Sequence, residues 1–275
     1  MAAERKKFAS IAKFRERSES ARADNRPAMM DSPPQLLMTA GSLAQILSKE
    51  GYAILSATGL GELLGEQPPP ASDIDLLWDR LPADGYLRDG GHYRQRRHSC
   101  HVLQNDTGQI TTSAQRAHWQ PVDYNALHGG IERWYEPIEP ALRDSAFYHM
   151  LLRALGAVFC AVRPCAQWSI ESHQFRIDTE GGIGRPTPEG AHRDGVDFVA
   201  VILIARESVR GGETRVFQAS GPHGVRFTMA HPWTALLLDD ARVIHETSPV
   251  QPLGARGHRD TLVLTYRHNV FQGPL

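Results

Sequence analysis

Apolar residues recur at helical spacing through much of the first half of the chain. The clearest example follows Pro33 and Pro34 and stops at Gly51, a residue that readily adopts the left-handed conformation in which helices end. The pattern predicts helices over residues 35–51, 72–81 and 140–162, and strand over residues 52–55 and within 85–113. We therefore expect a helix-rich support, residues 35–165.

In the second half, short β-like segments are separated by Gly, Pro and polar turns. Strands are predicted over residues 167–178, 197–205, 214–218, 225–229, 234–240 and 261–267. Regularly spaced short strands are typical of a sandwich or a barrel. We therefore expect an α+β fold with a single domain over residues 35–275, whose β core occupies residues 166–270.

Residues 1–34 carry mostly basic charge and few apolar anchors, which predicts a flexible basic N-terminal extension. Its first residues are charged where a secretory signal would need an apolar stretch, so a cytoplasmic location is expected. No apolar run approaches the ~20 residues that span a bilayer, and no membrane partner is predicted. The three cysteines are too few for a disulfide framework and are expected to be thiols.

The charge balance narrows the class of partner. Thirty Lys and Arg residues stand against thirty-one Asp and Glu residues, for a net charge of -1. This balance lacks the basic excess of a general nucleic-acid binder, so no nucleic-acid partner is expected. Histidine is the residue type that stands out, with thirteen copies, and it is the commonest metal ligand and proton carrier.

His192 and Asp194 are two residues apart, so on an extended segment both side chains project from the same face. His245 follows after enough chain for intervening strands to bring it beside the first pair. Two imidazoles and one carboxylate are the ligand set of non-haem Fe(II) oxygenases, which leaves coordination positions for a co-substrate and dioxygen. The His-x-Asp pair alone is a weak signal, and the combination with His245 predicts an iron site.

Arg259 stands fourteen residues after His245, at the head of a predicted strand. A guanidinium at this place can form a bidentate pair with a dicarboxylate whose other end chelates iron. Thr261 is two residues further on, on the same face, and can add a hydroxyl donor. Arg256 is the alternative if the strand register differs.

The chain resembles the 2-oxoglutarate/Fe(II)-dependent dioxygenases. Within them it is similar to the bacterial group that hydroxylates free L-amino acids, typified by L-isoleucine 4-hydroxylase, through the segments HQFRID, EGAHRDGVDFV, GGETRVF, VIHETSPV and GHRDTLVLTYR. The resemblance implies a double-stranded β-helix (jelly-roll, cupin-like) core with a helical N-terminal support layer. It also implies that His192, Asp194 and His245 bind Fe(II) and that Arg259 holds the distal carboxylate of 2-oxoglutarate.

The reaction implied by the resemblance is hydroxylation of an unactivated C–H of a small free L-amino acid. Fe(II), 2-oxoglutarate and dioxygen take part, and succinate and carbon dioxide are co-products. The same centre can instead desaturate or cyclise an amino acid, or act on a carrier-bound or macromolecular substrate. The non-enzymatic alternative is a metal-binding β-sandwich, although a structural zinc site would prefer four closed ligands, often with cysteine. Self-association as a homodimer is left open.

Substrate contacts are predicted on the strand before the iron segment. Gln174 and Arg176 share one face of that strand, and Arg176 is the expected partner of a substrate carboxylate. The alternative is that Arg176 braces the sheet by pairing with an acid such as Asp178 or Asp194. Asp197 is expected either to accept the substrate ammonium or to cap a turn.

Three histidines, His92, His98 and His101, lie among arginines within the predicted β segment 85–113. They show no fixed ligand spacing, so a solvated hairpin face is favoured over an anion site. His173 is expected to pack or lie at the surface, because it falls on the opposite face of its strand from Gln174.

Overall fold

The computed structural model describes residues 40–125, 127–268 and 270–274, and the predicted extension over residues 1–34 lies outside them. The helices are α1 (Ala40–Glu50), α2 (Ala57–Leu64), α3 (Asp75–Asp79), α4 (Pro140–Arg143) and α5 (Ala146–Val162), with a 3₁₀ turn at Ala71–Asp73. The helix predicted over residues 140–162 is divided in two, because Ser145 caps α5 by accepting the backbone N–H of Tyr148. The apolar pattern missed α2, which is capped by Ser56.

Within the described residues, the strands form three antiparallel sheets. They are β1 (Tyr52–Leu55), β2 (Arg94–Gln104), β3 (Ile110–Thr112), β4 (Gln167–Asp178), β5 (Phe198–Glu207), β6 (Val209–Gly211), β7 (Glu213–Gln218), β8 (Gly224–Thr228), β9 (Ala235–Asp239), β10 (Val243–Thr247), β11 (Val250–Pro252) and β12 (His258–His268). A large sheet has the order β1-β9-β5-β12-β4-β2-β3, a small sheet has the order β10-β7-β8, and β11 pairs with β6. The described residues are thus mostly antiparallel sheet with few helices.

Side chains alternate across the large sheet and separate two apolar layers. On β5, Phe198 and Ile202 belong to the cluster that contains the α5 residue Phe159. The neighbouring residues Val199 and Leu203 point the other way, into a second cluster with residues of the small sheet. The helices therefore cover the outer face of the large sheet, and the small sheet covers its inner face.

The inner face of β12, β4 and β2 has a register that lines up side chains across the three strands. Two rows of direct partners cross it, Arg259 with Ile177 and Arg94, and Thr261 with Phe175 and Arg96. These polar and aromatic residues lie beside the apolar layer between the sheets and provide one wall of the site described below.

The structure corrects the interpretation of the histidine- and arginine-rich segment near residue 100. Its central part is β2, which is paired on both sides in the large sheet and is not a solvated hairpin face. His98 and His101 are fully buried, and Arg96 is only 3% exposed. The three cysteines are free thiols, as expected. Within the described ranges, no helix combines the length and apolarity that crossing a bilayer requires.

Candidate active site

The loop that carries His192 is held against β10 by its backbone. His192 and His245 exchange two backbone hydrogen bonds of 3.0 Å, as an isolated antiparallel bridge. Residues opposite each other in such a bridge project side by side, and the two imidazole centroids are 4.6 Å apart. Asp194 joins them from two residues further along, with its Oδ1 3.7 Å from Nε2 of His192 and its Oδ2 3.7 Å from Nε2 of His245.

The structure therefore brings together the three predicted metal ligands. One donor atom from each of His192, Asp194 and His245 lies within 4.8 Å of the others, so a single ion can be bound by all three. Their side chains are at most 17% exposed. Two imidazoles and one carboxylate suit Fe(II), and they occupy only part of its coordination sphere.

Hydrogen bonds orient two of the three ligands, His192 and Asp194. Nδ1 of His192 donates to the carbonyl of Gly190 at 2.9 Å, which leaves Nε2 as the ligand atom. Nε2 of Gln120 donates to Oδ1 of Asp194 at 3.1 Å. The buried carboxylate of Asp240 accepts the backbone N–H groups of residues 194, 195 and 196 at 2.9, 2.8 and 3.2 Å, and so fixes the loop.

Gly195 is required directly after the carboxylate ligand. Its φ is +77°, in the left-handed region, and a Cβ at this position would lie 2.6 Å from the ring of Tyr124. A side chain here would displace Tyr124 or the loop that positions Asp194.

The ligands strongly influence one another's protonation. Burial opposes the charged form of His192, but the carboxylates of Glu189 and Asp194 outweigh it and raise its pKa to about 10. Burial and the charge of His192 lower the pKa of His245 to about 4. Burial raises the pKa of Asp194, but its hydrogen bond with His192 and the charges of both histidines outweigh this and leave it well below its usual range. Without a metal, His192 therefore holds a proton between two carboxylates, and a divalent cation at its Nε2 would displace that proton.

The three ligands line a cavity of about 130 Å³ that also contains Arg259 and Thr261. Arg259 is 3% exposed, and its Nη2 contacts Sδ of Met229 at 3.9 Å. Among the described residues no carboxylate lies within salt-bridge distance of this guanidinium, and its Nε has no hydrogen-bond partner. A buried cation without a counter-ion is unfavourable and marks a place where an anionic ligand binds.

The alternative arginine faces away from this cavity. The Arg256 side chain is 56% exposed and pairs with Asp178 at 2.7 Å. Of these two arginines, Arg259 is therefore the one that lines the cavity with the metal ligands.

The predicted substrate residues do not line the cavity, and this expectation is corrected. Arg176 bonds to Asp260 at 2.9 and 2.7 Å and to Asp79 at 2.6 Å, which matches the bracing alternative with different acids. Asp197 pairs with Arg163 and with Nδ1 of His268. Gln174 is buried away from the cavity.

The prediction for Gln174 and Arg176 placed the wrong face of β4 toward the cavity. Side chains alternate along a strand, and the residues of β4 that line the cavity are His173, Phe175 and Ile177. Gln174 and Arg176 consequently face the helices. His173, expected in packing or at the surface, is 3% exposed and lines the cavity.

A sequence profile of the 2OG-Fe dioxygenase family matches residues 76–265. The chain belongs to this family. Its members use Fe(II), 2-oxoglutarate and dioxygen, and the donor set of His192, Asp194 and His245 fits such a metal. No curated protein sequence matches the chain.

Solved structures resemble this dioxygenase over most of its length. A bsmA homolog from Methylobium petroleophilum PM1 is 53% identical, with a TM-score of 0.82, and the match covers 88% of this chain and 98% of that one. IDO from Bacillus thuringiensis has 15% identity and a TM-score of 0.70 over 86% and 99% of the two chains. The Fe(II)/(alpha)ketoglutarate-dependent dioxygenase TqaL has 19% identity and a TM-score of 0.63 over 85% and 88%. The last two show the jelly-roll fold alone.

The dioxygenase has a second buried cluster of potential ligands, His98, His118, Glu171 and His173, whose donor atoms also lie within 4.8 Å of one another. Its hydrogen bonds are already made within the protein. Oε2 of Glu171 accepts from Nε2 of His98 at 3.1 Å and from Nδ1 of His118 at 2.6 Å. Burial raises the pKa of Glu171, but these two histidines outweigh it and hold the carboxylate ionised.

Arg96 argues against a metal in this second cluster. Its Nη2 donates to Nδ1 of His173 at 2.6 Å, so in the neutral imidazole the proton remains on Nε2, the atom that faces Glu171. Burial lowers the pKa of His118 to about 4, so this ring is neutral, and its single proton lies on Nδ1 in the hydrogen bond to Glu171. The cluster is best described as a hydrogen-bonded wall of the cavity that fixes His118, His173 and Arg96.

Several cavity residues were missed by the sequence analysis. Gln120 and Arg133 lie in a segment without helix or strand periodicity, where position depends on tertiary contacts. Glu189 precedes the His-x-Asp pair by three residues and also lines the cavity. The one available signal was the density of arginine and histidine in β2 and the polar residues just before His192.

Proposed function

We propose that this chain is an Fe(II)- and 2-oxoglutarate-dependent oxygenase that hydroxylates an unactivated C–H of a small free L-amino acid. The observation that carries the proposal is the joint placement of His192, Asp194 and His245 with the unpaired Arg259 around one small cavity. Fe(II) bound by the three ligands would couple dioxygen activation to the oxidative decarboxylation of 2-oxoglutarate, which gives succinate and carbon dioxide.

The residues of the chain supply binding and orientation. Arg259 would hold the distal carboxylate of 2-oxoglutarate, with Thr261 as a nearby hydroxyl donor on the same face of β12. Gln120 and Asp240 would keep the carboxylate ligand Asp194 in place. The buried walls exclude water from the reacting C–H.

The free amino-acid substrate is supported by the charge of the cavity, which has both cationic and anionic side chains in its walls. The sequence similarity to free L-amino-acid hydroxylases points to the same class. Desaturation or ring closure on the same centre remains the second candidate, because it depends on the fate of the substrate after hydrogen abstraction.

The test is a substrate panel. Anaerobically reconstituted Fe(II) protein is given 2-oxoglutarate, oxygen and each of the twenty L-amino acids or pipecolate, and succinate and product mass are measured. We expect one substrate to stimulate succinate release and to gain the mass of one oxygen atom. A product lighter by two hydrogens would instead establish desaturation or cyclisation. Binding of 2-oxoglutarate without stimulation by any panel member would refute the free amino-acid assignment.

The matched control for the panel is His192→Ala. Removal of the His192 imidazole takes away one metal ligand and should abolish stimulated turnover, while the backbone bridge to His245 that holds the loop does not depend on the side chain. Retained turnover in a folded His192→Ala protein would contradict the assignment of the metal ligands.

A further inference from the structure

Four arginines line the cavity, and three of them have a partner or a proposed ligand. Arg94 pairs with Asp84 at 2.7 Å, and Arg96 lies 3.9 Å from the same carboxylate. Arg259 is the proposed partner of 2-oxoglutarate. Arg133 is only 2% exposed, yet among the described residues no carboxylate lies within salt-bridge distance of it.

The guanidinium of Arg133 still has donors to offer. Its Nη2 donates to Oε1 of Gln120 at 2.9 Å, and its Nε is buried without a hydrogen-bond partner. A guanidinium remains charged in proteins, so burial without a counter-ion is unfavourable. Such a residue in a cavity wall indicates an anion-binding position.

Gln120 connects this position to the metal site. The same side-chain amide accepts from Arg133 through Oε1 and donates to Oδ1 of Asp194 through Nε2 at 3.1 Å. Asn125 also donates to Oε1 of Gln120 at 3.1 Å and fixes the orientation of the amide. One amide group therefore separates the unpaired guanidinium from a metal ligand, and an anion bound to Arg133 lies beside the reacting centre.

Arg133 and Arg259 both line the cavity and are carried by different segments of the fold. Arg259 is on β12, and its row of partners in the large sheet continues through β4 to Arg94 on β2. Neighbouring strands are about 4.8 Å apart, so the backbones of Arg259 and Arg94 are about 10 Å apart. Arg133 is bridged by its backbone to His118, outside these strands, and the charge of Arg94 acts on Arg133. Two arginines are thus available for two different carboxylates.

A group of complementary charge lines the same cavity as Arg133. The negative charge of the Glu189 carboxylate favours the charged form of the Arg133 guanidinium. Oε1 of Glu189 is 3.5 Å from Nε2 of His192, and its Oε2 is buried without a hydrogen-bond partner. A buried carboxylate oxygen without a hydrogen-bond donor is the acceptor that an ammonium group requires.

We infer that Arg133 binds the carboxylate and Glu189 binds the ammonium of a zwitterionic α-amino acid. Gln120, which bonds to both Arg133 and Asp194, fixes the position of Arg133 relative to the metal ligand. The inference rests on the proposed function and names the groups that recognise its substrate. A substrate whose carboxyl group is tied up in a peptide or a carrier thioester would leave Arg133 unpaired. The pair therefore favours free amino acids over carrier-bound ones.

The test combines variants of the protein with analogues of the substrate. The amino acid that stimulates wild-type succinate release most is compared with its carboxamide and its N-acetyl derivative, in the wild type, Arg133→Met and Glu189→Gln. For the free amino acid we expect kcat/KM to fall roughly 100-fold in either variant, because a charge-assisted contact is lost. The carboxamide should react equally well with the wild type and Arg133→Met, and the N-acetyl derivative should not distinguish the wild type from Glu189→Gln.

A binding measurement and two further variants make the test independent of turnover. Titration of the amino acid into anaerobic protein loaded with Mn(II) and 2-oxoglutarate should show a Kd roughly 100-fold higher for Arg133→Met than for the wild type. Arg133→Lys keeps the charge without the planar fork and should lose less, which covers the case of a misfolded methionine variant. Arg116→Met is the matched control, since Arg116 donates to the carbonyl of Gln272 and does not line the cavity.

The two possible failures are distinguishable. In the first case, the wild type responds to an amino acid, but the losses in kcat/KM caused by Arg133→Met and by the carboxamide multiply when the two changes are combined. Arg133 then does not contact the substrate carboxylate, and the inference is overturned while the proposed function stands. If no amino acid stimulates the wild type, the proposed function fails, and the inference fails with it.

Discussion

Replacement of Arg259 by methionine should weaken 2-oxoglutarate binding without weakening the fold. The side chain is 3% exposed, and no carboxylate of the described residues pairs with it. A bidentate pair with the distal carboxylate would form two charge-assisted hydrogen bonds, each contributing roughly 1.5–3 kcal/mol. Even a total of about 3 kcal/mol corresponds to a Kd for 2-oxoglutarate more than about 100-fold higher.

The same substitution should not destabilise the unliganded protein, although it weakens co-substrate binding. Burial lowers the pKa of Arg259 to about 10, which shows that its charge is poorly compensated there. Methionine fills much of the same volume without a charge, so the free energy of unfolding should stay the same or rise by about 1 kcal/mol. A residue with a purely structural role would show a loss of stability instead.

The assay is calorimetric titration of 2-oxoglutarate into anaerobic Fe(II) protein, together with thermal unfolding of the unliganded protein. Arg256→Met is the control, because that arginine is exposed and pairs with Asp178, and it should change neither quantity much. The reasoning would be refuted if Arg259→Met left the Kd unchanged while lowering the unfolding temperature by several degrees. An effect on the Kd from Arg256→Met would transfer the role to that residue.

Three further predictions follow, two from the contacts around the site and one from His101, which contacts Tyr148 on α5. Gln120→Leu removes the donor to Asp194 and should weaken Fe(II) binding at least about 10-fold in chelator competition; unchanged affinity would show that the amide does not support the ligand. Metal analysis should find one Fe(II) per chain, because Arg96 keeps the proton of His173 on Nε2, the atom that a second metal beside Glu171 would need. Two tightly bound ions would contradict this prediction. Burial lowers the pKa of His101 to about 4. Between about pH 6.5 and 4, the unfolded chain therefore binds a proton at this residue that the folded chain does not bind. The free energy of unfolding should fall by up to about 3 kcal/mol as the pH falls through that window. Denaturant titrations of His101→Gln should show a flatter pH dependence, and an unchanged slope would count against the assignment.

The part of the site that could be predicted from the sequence is the part encoded over short distances. His192 and Asp194 are two residues apart on one extended segment, and Arg259 and Thr261 are two apart on one strand, so each pair shares a face. His245 lies far from His192 and Asp194 in sequence, and it was recognisable because a second histidine completes the set of two imidazoles and one carboxylate.

The face of β4 could not be chosen from its sequence. Trp168 and Ile170 are apolar on one face, and Phe175 and Ile177 are apolar on the other, because the strand is buried on both sides. The alternation of side chains then does not show which face of β4 points to the cavity, and Gln174 and Arg176 were assigned to the wrong face of the strand.

The remaining cavity residues depend on tertiary contacts alone. Arg133 lies in a segment without periodicity and reaches the cavity only because its backbone bridges to His118. Arg176, in contrast, looked like an anion-binding residue until the fold brought Asp260 and Asp79 to it. Whether a buried arginine is paired is a property of the assembled sheet, and the sequence does not contain it locally.

The most direct test of the account is an anaerobic crystal structure with Fe(II), 2-oxoglutarate and the amino acid that stimulates turnover. We expect one metal bonded to His192, Asp194 and His245, the distal carboxylate of 2-oxoglutarate on Arg259, and the substrate carboxylate on Arg133. A metal bound in the cluster around Glu171, or 2-oxoglutarate held away from Arg259, would contradict the account.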